Sequence, residues 1–330
     1  MQIATSEQWN HTAIMEFILL GFGEAEEFQI LLFLVFVVIY IFTMAGNILV
    51  ITLVASDQHL HTPMYYFLGN LSFLEVCYSS TILPKMLAGF LTGDKSISVS
   101  GCFTQLFFFG CLVIVECYLL SVMSFDRYVA ICKPLHYATI MNGRVIMYLV
   151  VGSWLCAAII SIIIISMVSH LSFCGPNEID HFFCDFSPLL QLSCSDTSHV
   201  KLSALIFGSI DILPPFILTI TSYVFIITAI FRISSTTGRE KAFATCSSHL
   251  IVVTIFYGTL MIVYILPNTS TLSDFKKVFS VPYTVLTPMV NPLIYSLRNK
   301  EVKESLRRAL DGFVCSNEKK EQNPLLLTGG

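Results

Sequence analysis

Charge is what this sequence has least of. Only 12% of its 330 residues are Asp, Glu, Lys or Arg, about half the share of an ordinary soluble domain. That deficit excludes a solvated surface over most of the chain. The shortage is also patterned. Residues 31–55, LLFLVFVVIYIFTMAGNILVITLVA, carry no charge at all, and about 20 apolar residues cross a bilayer as a helix. The first 27 residues contain no Lys or Arg, only Glu7, Glu16, Glu24, Glu26 and Glu27. A cleaved leader needs a basic start and a short apolar core. The first long apolar run is therefore expected to serve as the insertion signal itself.

Chemical motifs are equally scarce. There is no P-loop, HExxH or GxSxG in the chain, so no enzyme is expected. No basic run interleaved with aromatics points to nucleic acid. No internal repeat or low-complexity segment stands out. His181 and Cys184 form an H-x-x-C flanked by Asp180 and Asp185, a pattern that would suit copper or zinc. The plainer reading outweighs it, because Cys184 is expected to be oxidised and a disulfide sulfur is a poor ligand.

What is abundant is apolar sequence, 55% of the residues. It predicts seven spans near 28–55, 63–87, 100–126, 144–167, 200–231, 242–266 and 277–297. Spans two and seven are the weakest, interrupted by Asn70, Glu75 and Pro84 and by Pro282, Pro288, Asn291 and Pro292. Backbone groups in lipid must bond internally, so each span is expected to be helical. Arg127, Lys133 and Arg144 follow span three, and Arg232, Arg239 and Lys241 follow span five. Arg298, Lys300, Lys303, Arg307 and Arg308 follow span seven. The excess of basic residues puts these regions in the cytoplasm and the N-terminus outside. Lys276 and Lys277 dissent, at a helix end where they can snorkel.

Residues 1–27 then form an extracellular segment and 28–298 the membrane domain. Residues 299–312 form an amphipathic cytoplasmic helix with Val302, Leu306, Ala309 and Leu310 on one face. Residues 313–330 are expected to be a disordered tail. Asn10-His11-Thr12 is an external glycosylation sequon, and Asn268-Thr269-Ser270 a second one close to the membrane. Cys102, Cys174, Cys184 and Cys194 all fall on the oxidising side and suggest two disulfides.

Three acids lie where acids are costly: Glu75, Glu116 and Asp211. Each is either a hydrogen-bonded structural acid or part of a site. Two at mid-depth on adjacent helices suit a hard cation such as sodium, with Ser72 and Asn291 as further oxygen donors.

Several segments are recognisable together. They are Gly46-Asn47, PMYYFLGNLSFLE at 63–75, MSFDRYVAICKPLHY at 123–137, Ser222-Tyr223, KAFATCSSHL at 241–250, FYG at 256–258 and PMVNPLIYSLRN at 288–299. With these the chain resembles an olfactory (odorant) receptor of the rhodopsin-like G-protein-coupled family, worded like the tetrapod-type class II branch. The likeness covers about 10–312.

The resemblance implies an all-α membrane protein, a seven-transmembrane helix bundle with a short amphipathic helix after the seventh span. It implies the disulfides Cys102–Cys184 and Cys174–Cys194. It matches Glu75 and Glu116 to the family's sodium-site acids, with sodium an allosteric modulator and no cofactor required. Odorant contacts by position are Phe109, Gly110, Val113 and Ile114 on span three and Phe207, Gly208 and Asp211 on span five. Tyr257, Leu260, Met261 and Tyr264 follow on span six, and Val281 and Thr284 on span seven. Switch residues are Asp126, Arg127, Tyr128, Tyr223, His249, Asn291, Pro292 and Tyr295. FYG departs from the proline-containing tryptophan motif of many relatives, so their switch does not transfer directly. The implied partners are a small volatile odorant, a stimulatory olfactory G protein that raises cAMP, and membrane lipid. The implied place is the plasma membrane of olfactory cilia. The alternatives are a non-olfactory chemosensory receptor of the same fold and a cation or proton transporter or channel. No inverted repeat supports the transporter.

Overall fold

The computed structural model describes residues 14–22, 26–232, 235–265, 270–298 and 300–321. The sequons at Asn10 and Asn268, and residues 322–330, lie outside the described residues.

The apolar runs fold into a seven-helix bundle. The spans are Glu26–Ser56, Pro63–Thr92, Val99–Cys132, Gly143–Ser169, Ser198–Phe231 and Thr236–Ile265, with a composite seventh. Among the described residues, four helices are long and apolar enough to cross a membrane on length and composition alone: Phe28–Ser56, Val99–Cys132, Gly143–Ser169 and Ser198–Phe231. Spans two, six and seven carry buried polar groups that dilute the signal, among them Glu75, His249 and Asn291.

Exposure follows the same logic. Leu34, Val38 and Ile41 of span one, Leu155 and Ile159 of span four, and Ile210 and Ile217 of span five all face outward. Polar side chains such as Asn47, Glu75, Glu116 and Asn291 are buried. This inversion is what a lipid solvent selects. Span three lies deepest, with Val115, Leu119, Leu120 and Met123 fully enclosed.

Caps set the helix ends. Ser98 accepts from the Gly101 N–H at 3.1 Å, starting span three. Asn142 accepts from the Arg144 and Val145 N–H groups, starting span four. Gly93 at φ +74° closes span two, its N–H returning to the Gly89 carbonyl.

The seventh span has three pieces: Ser270–Val281, a π-helical stretch Pro282–Leu286, and Thr287–Arg298. The wide turn falls at a proline, where the regular ladder loses a donor. The Thr287 hydroxyl donates to the Pro282 carbonyl at 3.0 Å. Further down, Pro292 packs on span one so closely that a Cβ at Gly46 would lie 3.1 Å from its ring.

Three features differ from the sequence expectations. Span three does not stop at residue 126 but continues to Cys132. Hydropathy marks where lipid ends, whereas the backbone ladder runs on beyond it. The terminal helix runs from Lys300 to Glu321, through part of the segment expected to be disordered. Val302 and Leu306 of its expected apolar face pack on the bundle, while Leu310 stays exposed. Finally, a small sheet joins the helices. Strand β1 (Glu16–Leu19) pairs antiparallel with β2 (Ser96–Ser98) and parallel with β3 (Glu178–Ile179). Phe17, with no exposed surface, plugs the outer end beneath it.

Candidate functional site

The outer half is organised by the long loop after span four. Cys102 and Cys184 are bonded, as are Cys174 and Cys194, with Cα atoms 5.4 and 6.0 Å apart. Gln105 reinforces the first tie. Its amide donates to the Thr81 carbonyl and its oxygen accepts from the Cys184 N–H, both at 2.8 Å. The loop is thereby pressed onto the bundle. Phe183 sits 4.6 Å from Phe109, which also packs on Tyr78 at 5.4 Å and Tyr283 at 6.2 Å.

A polar thread runs through these rings. The Tyr264 hydroxyl reaches Asp185 at 3.1 Å and the Tyr283 hydroxyl at 3.3 Å. Burial raises the Asp185 carboxyl to about 6, partly opposed by the Phe186 N–H and Tyr264. The Tyr78 hydroxyl is buried and unpartnered. Asp185, Tyr78 and Tyr283 were not among the expected contacts. Only Asp185 carried a signal, as a neighbour of the H-x-x-C.

That motif does not form a metal site. Cys184 is in its disulfide. His181 is buried, which pushes its imidazole down to about 3, helped by Lys277. Asp180 instead pairs with Lys277, which accounts for a lysine at the outer end of span seven.

The expected contacts divide. Phe109, Val113, Tyr257 and Leu260 are buried in the main core, with Ile114, Tyr264 and Val281 packed against it. Phe207, Gly208 and Met261 are half-buried. The Thr284 hydroxyl is used internally, donating to the Ser280 carbonyl at 2.6 Å. Gly110 is turned away: a Cβ there would face the Ser161 hydroxyl of span four at 3.9 Å. One residue after Phe109 is about 100° further round a helix, enough to change neighbours. Asp211 accepts from the Tyr118 hydroxyl at 2.7 Å, an interhelical bond between spans three and five. Its second oxygen is buried without a partner.

At mid-depth, Glu75 accepts from the Asn291 amide and lies within electrostatic reach of Glu116. Asn47 donates to the Thr43 and Pro288 carbonyls, both at 3.0 Å. One oxygen each of Glu75 and Asn291, and both of Glu116, are buried without a partner. Orphaned hard oxygens of this kind fit a small cation. Among the described residues no group of three or more His, Cys, Asp or Glu side chains is placed to hold a metal. Just above, the Tyr257 hydroxyl donates to the Cys117 carbonyl at 2.8 Å and its ring packs on Phe216.

The end of the bundle opposite the long loop holds Asp126 and Arg127. Arg127 donates through Nε and Nη2 to one Asp126 oxygen, at 2.9 and 2.5 Å. Tyr137, on the short helix Tyr137–Ile140, donates to the other oxygen at 2.7 Å. Asp126 is buried, while the Arg127 side chain keeps 19% of its surface. Alongside, the Tyr223 hydroxyl and His249 Nδ1 are 2.5 Å apart with near-parallel rings. Tyr128 packs on Phe225 of span five at 5.7 Å. The side chain of Tyr295 lies outside the described residues.

The terminal helix is tied to the first inner loop. Arg308 donates to Asp57 at 2.6 and 3.2 Å, and Tyr65 to Glu301 at 2.7 Å. The Arg308 bonds, ahead of those from Ser305 and His59, hold the Asp57 carboxyl well below the usual range.

Known proteins place this arrangement. A family model described as olfactory receptor matches residues 36–312. Human olfactory receptor 10A7 is 48% identical over 91% of this chain and 95% of its own length. Rat olfactory receptor 1f45 is 48% identical over 91% and 96%. Mouse olfactory receptor 1M1 is 46% identical over 94% and 99%. With its loop-capped aromatic cluster and an acid–arginine pair near the far end of span three, this multi-pass membrane protein belongs to the olfactory receptor family of G-protein-coupled receptors, not to the enzymes.

Proposed function

We propose that the chain binds small volatile odorants beneath the outer loop and signals through the stimulatory olfactory G protein, raising cAMP. One observation carries this reading. The aromatic cluster under the loop and the acid–arginine pair lie on one continuous element, span three, which bears Phe109 in its first third and Arg127 in its last turns. An agonist that prefers one arrangement of spans three, six and seven shifts a pre-existing equilibrium. A coupling of about 1–3 kcal/mol is typical and within reach of packing differences around Phe109, Leu260 and Tyr264. Tyr257 fits an intermediate role, because its bond to span three breaks if span six moves.

In this reading the N-terminus is extracellular, the terminal helix is cytoplasmic, and the protein resides in olfactory cilia. Membrane lipid contacts the apolar exterior. Glu75, Glu116, Asn291 and Ser72 would hold a sodium ion that favours the resting state by linking spans two, three and seven. A reporter-cell screen of cAMP against a chemically diverse odorant panel tests the reading. At least one saturable agonist response, abolished by Arg127→Ala at equal surface expression, is expected. Odorant-independent ion flux through the purified protein, without any cAMP response, would support a transporter instead.

A further inference from the structure

Phe183 belongs to the long loop after span four, yet it has no exposed surface. The buried apolar residues of that loop divide between two clusters. Ile179, Leu189 and Leu190 join an outer cluster with Phe17 and Leu106. Phe182 and Phe183 belong instead to the core of the bundle, with Phe109 of span three, Leu260 of span six and Tyr283 of span seven. The Phe183 ring meets Phe109 at 4.6 Å, the two planes tilted by 49°. Phe109 in turn touches Tyr78 of span two at 5.4 Å and Tyr283 at 6.2 Å. One ring of the loop is thereby linked, through Phe109, to three spans.

The ring is held at this depth from both sides. Cys184, the next residue, is bonded to Cys102, and its N–H donates to Gln105 at 2.8 Å. On the other side the His181 carbonyl accepts from the Gly21 N–H at 3.1 Å, and the His181 ring stands edge-on to Phe183 at 4.5 Å. Phe182 rests on Phe22 at 4.9 Å. These ties already fasten the loop, so fastening does not require a phenyl ring inside the bundle. A side chain on so short a tether presents itself at a roughly millimolar effective concentration. Its anchored backbone also removes much of the ordering cost that a free molecule bears.

We propose that Phe183 is a tethered ligand of the bundle: its ring fills an arene-sized place on Phe109 and favours the arrangement in which Asp126 and Arg127 are paired. The proposal rests on the two-arrangement reading of the function and adds a resting-state occupant to it. It also names a ligand class, since a free apolar molecule about the size of benzene can stand in for the ring once the ring is removed. An agonist is then a molecule that displaces Phe183 without replacing its contact on Phe109, because only a difference in contacts between two states shifts their balance. No empty space is needed beforehand, as the place is occupied by the chain itself.

The test starts from Phe183→Ala in the full chain. Truncating a buried ring leaves an apolar void, and voids of this kind take up benzene. Fluorine NMR of fluorobenzene should show saturable binding to the variant and none to the wild type. Spin labels carried on unnatural side chains at Lys133 and Thr236 report the distance between the ends of spans three and six. The wider distance should become severalfold more populated in Phe183→Ala, and saturating fluorobenzene should reverse the change. Phe183→Leu keeps most of the apolar volume and should shift less with the same sign, which also covers an alanine variant that fails to fold. Leu189→Ala, on the same loop but in the outer cluster, should leave the distance as it is. An unchanged distance in both Phe183 variants, an equal shift in Leu189→Ala, or a shift that fluorobenzene does not reverse would overturn the proposal. A distance change without any cAMP change would sink the G-protein reading and leave this one standing. Higher basal cAMP in Asp126→Asn with no change of distance in the Phe183 variants would do the opposite.

Discussion

Tyr137 and Arg127 hold opposite oxygens of the same carboxylate, that of Asp126, at 2.7 and 2.5 Å. The acid is buried and bonded on both sides, so Arg127 is restrained by a group that is itself anchored to the next inner loop. The arrangement has the properties of a latch: releasing either side weakens the hold on the other.

Asp126→Asn should therefore raise basal cAMP without odorant. Hydrogen bonds to charged groups contribute about 1.5–3 kcal/mol, and discounting for the exposed side of Arg127 leaves about 1 kcal/mol, a severalfold rise in the active state. Tyr137→Phe removes one neutral donor and should give a smaller rise of the same sign. Surface-normalised reporter assays decide it. Unchanged basal signal in both variants would reduce the pair to flank charges.

Asp211 is the acid for which the geometry favours structure over ligand. Its bond from Tyr118 lies between spans three and five. Asp211→Asn and Tyr118→Phe should each lower the thermal transition, and the double variant should fall by less than their sum, the mark of a shared interaction. The rank order of active odorants should not change. A selective loss of amine or alcohol ligands in Asp211→Asn would instead make it a ligand contact.

The spans were legible because hydropathy is a local property of the chain. So were the acids at 75, 116 and 126, since charge in an apolar run stands out against its neighbours. The rest depended on contacts that sequence order conceals. Strand β1 pairs with Ser96–Ser98 and Glu178–Ile179, far along the chain, and a strand this short has no periodicity to detect. Lys277 breaks the charge pattern of the loops because its partner, Asp180, lies almost a hundred residues away in the chain. Gly110 matches a contact position by resemblance alone, and one helical step from Phe109 turns it toward Ser161 of span four. Tyr78 and Tyr283 are aromatic residues among many, and only packing distinguishes them.

Gly46 is a position where size alone should decide stability. A Cβ there would stand 3.1 and 3.2 Å from two Pro292 ring carbons. That ring is rigid and held within span seven, so it cannot swing aside as a long side chain would. Gly46→Val is expected to cost about 1–3 kcal/mol, the usual range for overpacking. Gly152→Ala is the control, since nothing lies within 4 Å of its added carbon. Melting of the purified receptor should fall for the first and hold for the second.

Asp185 should make the outer end sensitive to pH, with a definite sign. Burial raises its carboxyl from 3.8 to about 6, so between these values the folded protein holds a proton that the unfolded chain has released. Folding stability then falls as pH rises from about 4 to about 6 and is flat above that window. Asp185→Asn stays neutral throughout and should lose this slope, while keeping an oxygen that accepts from Tyr264. Melting temperatures from pH 4 to pH 8, compared between the two proteins, read the difference directly. A wild-type curve that climbs through the window, or a variant curve that parallels it, would place the titrating group elsewhere. If the slope is as expected, burial outweighs the Tyr264 bond: the bond favours the ionised carboxylate, but removal from water keeps Asp185 neutral up to about pH 6 and sets the sign of the dependence.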